Sequence, residues 1–522
     1  MHRYPFLFAV ICSVLSPVAA QDTPPNVMMI AIDDLKTIGS LYSEEPGNFL
    51  QRVYPNAQLR AEVAKRMTPN LQRLADLGVR FMDAYCAAPA CNPSRAALMT
   101  GVHPHQSGLT TNAGGIFFRD YKYEGRKPLA AAVTLPELLK KHGWYTASAG
   151  KIFHTARSFA NADGNRSWTD WTSLKGTAGS KKRDAYSPKS LDWGQEGDDT
   201  ATYHALNDYL CADFFGKLLS KGIATNEDIT FDITSDRPFF LACGIFRPHL
   251  PFYASKDLLD LFPTDEMLIT RELLDEFTRD AGDLPAHAYK WCGLSANASG
   301  QPTIGSDRFV DILKHGNKQQ AQDGDLLGWK RMLQHYFASC AIADRCVGRI
   351  LDGLDAGQHG KDTMIVLWSD HGYHLGEKLH ETKFTLWDDG ANVNFIVVDP
   401  RYPDRAGSRC DRPVTLTDIY PTITKMAGVD LPDHRIRGAD LAPLLADPNH
   451  ARAVPAHATY QDISHNMIRT DRFKLIRYEN DNESIELYDM QADPEEFHNL
   501  AGQVEFKSTT SKLIEMLETA TQ

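Results

Sequence analysis

Four short apolar runs, each closing on ionisable residues, constrain this chain more than any other feature. Residues 26–33 read NVMMIAID and are followed at once by Asp34. Residues 363–372 read TMIVLWSDHG, an apolar run from Met364 to Trp368 followed by Ser369, Asp370 and His371. A third run, PFFLACGIFRPH at 238–249, leads into Arg247, Pro248 and His249, and a shorter fourth, WYTASAGKIFH at 144–154, leads into Lys151 and His154. Continuous apolar runs of this length mark strands covered on both faces. Helical spacing fills the intervals. TPNLQRLADLG at 68–78 sets Leu71, Leu74 and Leu77 on one face and stops at Gly78, and TLPELLKKHG at 134–143 ends the same way. From Leu333 through Tyr336, Phe337, Cys340, Val347, Ile350 and Leu354 the helical period runs almost to the 363 strand. Strands alternating with helices predict an α/β fold, a mostly parallel sheet with helices on both faces. Ligands bind beyond the carboxyl ends of such strands, which is where all four runs place their polar residues.

With 522 residues, 43% hydrophobic and 23% charged, the chain can bury one large core, so one dominant domain is expected over residues 21–445. Two polar, aperiodic stretches, 156–200 and 280–327, read as surface insertions. After Leu445 the pattern changes: MIRTDRFKLIRYEN and ESIELYDM alternate like antiparallel strands and KSTTSKLIEMLETA reads as a helix, so residues 446–522 are expected to form a smaller α+β subdomain. At the start, Arg3, an apolar run from Phe6 to Leu15 and the small residues Ala19 and Ala20 have the form of a signal peptide over residues 1–20, which predicts a secreted or periplasmic protein. No later segment is long and apolar enough for stable membrane insertion. Removing residues 1–20 moves the net charge from −12 to −13, which speaks against a nucleic-acid partner but leaves room for an anionic small molecule in a locally positive site. Eight cysteines remain beyond that segment, too dispersed for a disulfide scaffold, and Cys340 and Cys346 fall on different faces of one predicted helix.

Residues 89–101, PACNPSRAALMTG, raise a chemical question. Asn92 and Pro93 have the form of an N-cap and a first helical residue, which would put Cys91 at a helix N-terminus where negative charge is favoured. A lone cysteine there is ordinarily a buried structural residue. Here Arg95 follows one turn later, and two apolar runs end in Asp33, Asp34, Asp370 and His371. Three carboxylates and an imidazole suit calcium better than zinc.

CNPSRAALMTG resembles the signature of the type I sulfatases, formylglycine-dependent members of the alkaline phosphatase-like superfamily: Cys-x-Pro-Ser-Arg, then Thr-Gly after a short gap. The likeness extends along most of the chain. IAIDDL is similar to that family's first metal strand, GKIFH to its Lys-x-x-His segment, RPHLPF to its Lys/Arg-Pro-His segment, and SDHGYHLGEKLHETKFTLWDDG to its second metal strand and lysine loop. TLTDIYPTITKMAGV and LYDMQADPEEFHNLA resemble its late helix and C-terminal subdomain, and the Phe153 spacing with RPHLPF is closest in style to the iduronate-2-sulfatase-like branch.

This resemblance implies that Cys91 is oxidised by a formylglycine-generating maturation enzyme, a transient partner, to Cα-formylglycine. It implies one Ca2+ held by Asp33, Asp34, Asp370, His371 and residue 91. A hydroxyl of the hydrated aldehyde would attack sulfur, and the second would expel sulfate from the resulting ester, a step that serine or unmodified cysteine lacks. Arg95 would reach back to the modified side chain, Lys151 and Lys383 would hold sulfate oxygens, His154 would assist the hydroxyls and His249 would serve as general acid. Apart from the resemblance, His374 and His380 flank the second metal strand, and two readings stand for them: lining the substrate subsite, or packing within their loop. The expected activity is hydrolysis of sulfate monoesters on uronic acid or other sugar units of a sulfated polysaccharide or its oligosaccharides. Two other readings stand beside it: a phosphomonoester or phosphonate-ester hydrolase of the same superfamily, and a non-catalytic sulfated-glycan binding protein. GVHPHQSGLTTN is closer to the aryl- and choline-sulfatase style, and DDGANVNFIVVDP lacks an Arg-Val-Pro common in relatives, so sugar specificity does not carry over from the branch.

Overall fold

The computed structural model describes residues 24–155, 163–176, 180–226, 229–291, 294–296, 302–304, 308–315 and 326–522. The predicted signal peptide, Cys292 and parts of both polar insertions lie outside the described residues.

An eight-stranded sheet forms the centre. Its strands in chain order are β1 (Asn26–Asp33), β2 (Val79–Phe81), β3 (Tyr145–Gly150), β4 (Asp170–Thr172), β5 (Phe239–Pro248), β6 (Thr363–Ser369), β7 (Phe395–Val398) and β8 (Ser408–Cys410). They lie side by side as β8-β2-β7-β6-β1-β5-β3-β4. All the pairings are parallel except those of β7 with β6 and β2, so β7 alone runs against the others. The four runs seen in the sequence become four adjacent strands, β6-β1-β5-β3, and their polar endings share one edge of the sheet. β1 is buried along its whole length, as its unbroken apolar sequence requires of a central strand.

Helices cover the sheet. α1 (Cys91–Thr100) carries the signature cysteine, α2 (Asn207–Lys221) and α4 (Leu327–Ala356) pack together against β5, and α3 (Arg271–Asp280) lies between those two in the chain. α4 extends the predicted 333–354 pattern by a turn or more at its start. The 156–200 stretch is more than a surface loop. It contributes β4, and Trp168, Leu174, Leu191 and Trp193 enter the core. Isolated aromatics in polar sequence carry no period, which is why the pattern did not show them. All seven described cysteines beyond the start of the chain are buried and unpaired by disulfide, Cys340 and Cys346 among them.

The C-terminal sheet is antiparallel: β9 (Ala456–Tyr460), β10 (His465–Arg469), β11 (Phe473–Arg477) and β12 (Ile485–Asp489). Strand alternation divides its faces. Ile468, Leu475 and Leu487 meet Leu513 and Leu517 of α5 (Lys507–Thr521) in a separate apolar cluster. Met467, Ile476 and Tyr488 belong to the main core instead. The sheet is thus bound on one face to its own helix and on the other to the large domain.

At the working edge β3 and β5 approach closely. Gly150 has φ +75°, and a Cβ on Gly244 would lie 2.1 Å from the carbonyl group of Lys151. That contact lets the chain turn off β3 and carry Lys151 inward. Gly244→Ala is expected to cost about 1–3 kcal/mol of stability through backbone overpacking, measurable as a lower midpoint in urea unfolding.

Candidate active site

The site grows from β1. Its last residue, Asp33, and the next, Asp34, are buried, and Asp34 takes a left-handed turn (φ 60°) that aspartate tolerates better than most residues. Tyr336 of α4 fixes that turn, its hydroxyl donating to the Asp34 carbonyl at 2.8 Å and accepting from Lys36 N at 2.9 Å. From the neighbouring strand β6, Asp370 accepts from the Asp34 amide at 3.1 Å, and His371 Nε2 stands 3.3 Å from Asp34 Oδ1 and 3.5 Å from Asp370 Oδ1.

Cys91 opens α1, as the signature suggested, but the cap differs from the expectation. Extended Ala90 is the flanking residue, and the helix begins at Cys91 itself, so Pro93 is its third residue and Asn92 is not the cap. Asn92 is drawn off by the 112–116 segment: its amide nitrogen donates to the carbonyls of Ile116 (2.8 Å) and Asn112 (3.3 Å). The consequence for Cys91 is unchanged, since it still occupies the first turn.

Around the Cys91 sulfur lie Lys383 Nζ at 3.0 Å, His371 Nε2 at 3.3 Å and Asp34 Oδ1 at 4.0 Å, and His154 hydrogen-bonds it as well. Lys383 also donates to Asp34 Oδ1 at 2.6 Å, and Lys151 donates to Asp33 Oδ2. Arg95 does not reach the sulfur. Its Nε donates to Asp370 Oδ2 at 2.8 Å and a terminal nitrogen to Asp33 Oδ1 at 3.2 Å, while the other terminal nitrogen meets the carbonyls of Lys151 and Ile152. The guanidinium ties the two aspartate-bearing strands to the end of β3. His249 stands at the margin, a quarter exposed, with Nε2 4.0 Å from Asp34 Oδ2 and Nδ1 2.7 Å from the Leu250 carbonyl.

Electrostatics follow from this crowding. Burial pushes the Cys91 thiol up, but Lys151, Lys383 and His371 outweigh it and hold the group well below its usual value. Burial and the nearby Cys91 charge likewise act to raise Asp33, and Lys151, His249 and Arg95 prevail to keep it ionised. Asp370 goes the other way: burial raises it, aided by Asp33 and against Arg95. Burial lowers His371, yet Asp370 prevails and lifts the ring to about 9. Ligand atoms of Asp33, Cys91, Asp370 and His371 all lie within 4.8 Å of one another, as do those of Asp33, Asp34, Cys91 and His249. Such a buried, oxygen-rich group fits a hard divalent cation, which would take the place of the protons and ammonium groups now balancing its charge.

His374 and His380 sit within the packing of the loop that carries Lys383. His374 is fully buried, with Nε2 2.6 Å from Thr385 Oγ1 and Nδ1 3.2 Å from the Glu377 carbonyl, and burial pushes its pKa well down. His380 Nε2 lies 2.9 Å from the Lys383 carbonyl. Sequence reasoning overlooked Tyr336, which reads as one more apolar position of a helix, and the buried lysine Lys378 five residues before Lys383.

A mostly parallel sheet gathers the buried Cys91, three carboxylates and two lysines at one edge. The family model described as Sulfatase matches residues 25–429, and one described as N-sulphoglucosamine sulphohydrolase, C-terminal, matches residues 376–522. The chain belongs to the sulfatase family of sulfuric ester hydrolases. It is 29% identical to a sulfatase of Formosa agariphila over 94% of this chain and 86% of that one. It is 26% identical to the N-acetylglucosamine-6-O-sulfatase of Bacteroides thetaiotaomicron, over 97% and 88%, and 26% identical to the iduronate 2-sulfatase of Mus musculus, over 78% and 69%. Among solved structures, a protein in complex with its substrate D-glucosamine-2-N,6-O-disulfate superposes with a TM-score of 0.64 at 23% identity, covering 95% of this chain and 97% of that one. The phosphonate monoester hydrolase of Agrobacterium radiobacter superposes equally well, 0.64 at 19% identity over 95% and 96%, so the fold is common to both chemistries.

Arg95→Met leaves Asp33 and Asp370 buried without their shared cation. With a chelator present, the expected loss is about 3–5 kcal/mol, read from urea unfolding of wild type and variant under the same conditions.

Proposed function

We propose that this protein is an exported, calcium-dependent sulfatase that hydrolyses sulfate monoesters on sugar units of a sulfated polysaccharide or its oligosaccharides. The observation that carries the reading is the position of Cys91, buried at a helix start with Lys383, His371 and His154 on its sulfur. The names of the relatives, two of them sulfatases of particular sugars, favour a carbohydrate ester. The signal-like first 20 residues favour export, and no described helix is long and apolar enough to cross a membrane.

Asp33, Asp34, Asp370 and His371 would hold the cation. Calcium would supply Lewis-acid charge there, and the hydrated aldehyde of Cα-formylglycine formed from Cys91 would supply the hydroxyl nucleophile. The chain's own groups do the rest. Lys151 and Lys383 carry positive charge to the place where sulfate oxygens gather charge in the transition state. His154, bonded to residue 91, accepts and returns its proton. His249, at the accessible margin, donates a proton to the departing sugar oxygen. Arg95 keeps Asp33 and Asp370 in register. His374 and His380, buried in the packing of the lysine loop, brace that loop and do not line a substrate subsite.

The decisive experiment is peptide mass analysis of residue 91 in protein from its native source. Loss of the thiol with gain of an aldehyde is expected, and an unmodified cysteine there would count against hydrolysis. Cys91→Ala should lower turnover of an aryl sulfate on the order of 10⁴-fold or more. A large preference for the matching phosphate ester in parallel assays would move the protein to the phosphatase side of its superfamily. Retained glycan affinity in Cys91→Ala, with no turnover in the parent, would favour a binding protein. Activity should also fall on exhaustive chelation and return with Ca2+ in preference to Zn2+.

A further inference from the structure

Lys383 reaches Cys91 from a loop that its backbone alone would not hold. Four non-glycine residues there have positive φ: Lys378 (52°), Leu379 (58°), Thr382 (98°) and Phe384 (83°). None is Asn or Asp, and Thr382 is β-branched, the type least suited to that region. Such a run persists only where its surroundings over-determine it. Gly376, at the head of the loop, is pressed so close to Trp329 that a Cβ would lie 2.4 Å from the indole.

Lys378 is the strongest of those surroundings. It is 2% exposed, and its ammonium donates to Asp280 Oδ1 at the end of α3 (2.7 Å) and to the Glu496 carbonyl (2.5 Å). The rings of Trp387, Tyr488 and Phe497 lie 5.4, 5.7 and 5.8 Å from Nζ. Glu496 is held in turn. Its carboxylate accepts from the Asp388 amide and ion-pairs with Lys474 of β11, both at 2.7 Å. Trp387 Nε1 donates to Glu486 of β12 at 2.7 Å, and Lys474 donates to Asp388 at 2.6 Å. The C-terminal region therefore holds both ends of the segment from 378 to 388, through Tyr488 and the Glu496 carbonyl at Lys378 and through Glu486 and Lys474 at Trp387 and Asp388, and Lys383 is near its middle. A buried ammonium of this kind is costly unless paired, and removing it strands its partners. The chemistry proposed above has no use for Lys378.

We infer that Lys378 is a positioning residue for Lys383. It locks the strained loop to α3 and to the C-terminal sheet, and so sets the Lys383 ammonium 3.0 Å from residue 91. The C-terminal subdomain is then part of the catalytic apparatus. What Lys383 does there rests on the sulfatase reading; that Lys378 places it does not.

Two readouts on the full chain test this. Lys378→Met should lower kcat/KM for an aryl sulfate at least tenfold in the wild-type background, and less than twofold further in a Lys383→Ala background. In the same variant, acylation of Lys383 by a small amine-reactive ester, followed by mass spectrometry, should speed up at least tenfold, with Lys151 labelling and far-UV circular dichroism unchanged. An equal activity loss in both backgrounds, or Lys383 labelling as slow as in wild type, overturns the inference. Should Lys378→Met fail to fold, Asp280→Asn removes one anchor and is expected to shift both readouts in the same direction by a smaller factor. If the wild type turns over no sulfate ester, the sulfatase reading fails while the labelling still decides whether Lys378 places Lys383.

Discussion

One buried guanidinium organises this molecule. Arg95 lies one turn into the helix that presents Cys91, and bonds Asp33 at the end of β1, Asp370 just after β6, and the carbonyls that follow β3. Without a cation among them, three carboxylates at one sheet edge would repel one another at low dielectric. Fully buried, Arg95 both neutralises two of them and fixes their spacing. Everything else at the site, from the Lys151 turn to the position of the sulfur, is measured from that arrangement.

The remaining positive charge comes from a different layer. Lys383 is delivered by a loop whose conformation depends on tertiary contacts with α3 and the C-terminal sheet. The small subdomain shares one face with its own helix and lends the other, with its polar residues Lys474 and Glu486, to the segment behind the lysine loop. A sheet that could pass for a surface appendage is in contact with the site through a buried salt-bridged network.

Strand existence and order of chemistry along the chain were legible because unbroken apolar runs have one use in a domain of this size. The cluster itself was legible only in part. Asp33, Asp34, Cys91, Arg95, Lys151, His154, Asp370, His371 and Lys383 all converge, but Arg95 meets carboxylates where the modified side chain was expected, and Asn92 serves a neighbouring loop in place of the helix cap. Strands β2 and β8, of three residues each and without any clear period, and the buried tryptophans of the 156–200 stretch escaped notice for want of a repeating pattern.

By itself, then, the sequence determined the fold class, the edge of the sheet where chemistry collects, and the family signature around Cys91, because these are written in local periodicity and contiguous motif. Which nitrogen of Arg95 meets which carboxylate, how Tyr336 sets the turn after β1, and how a buried lysine braces the loop of another were decided only by tertiary structure. Those contacts join residues some 60 to 350 positions apart, and only packing in three dimensions brings such groups within hydrogen-bonding reach.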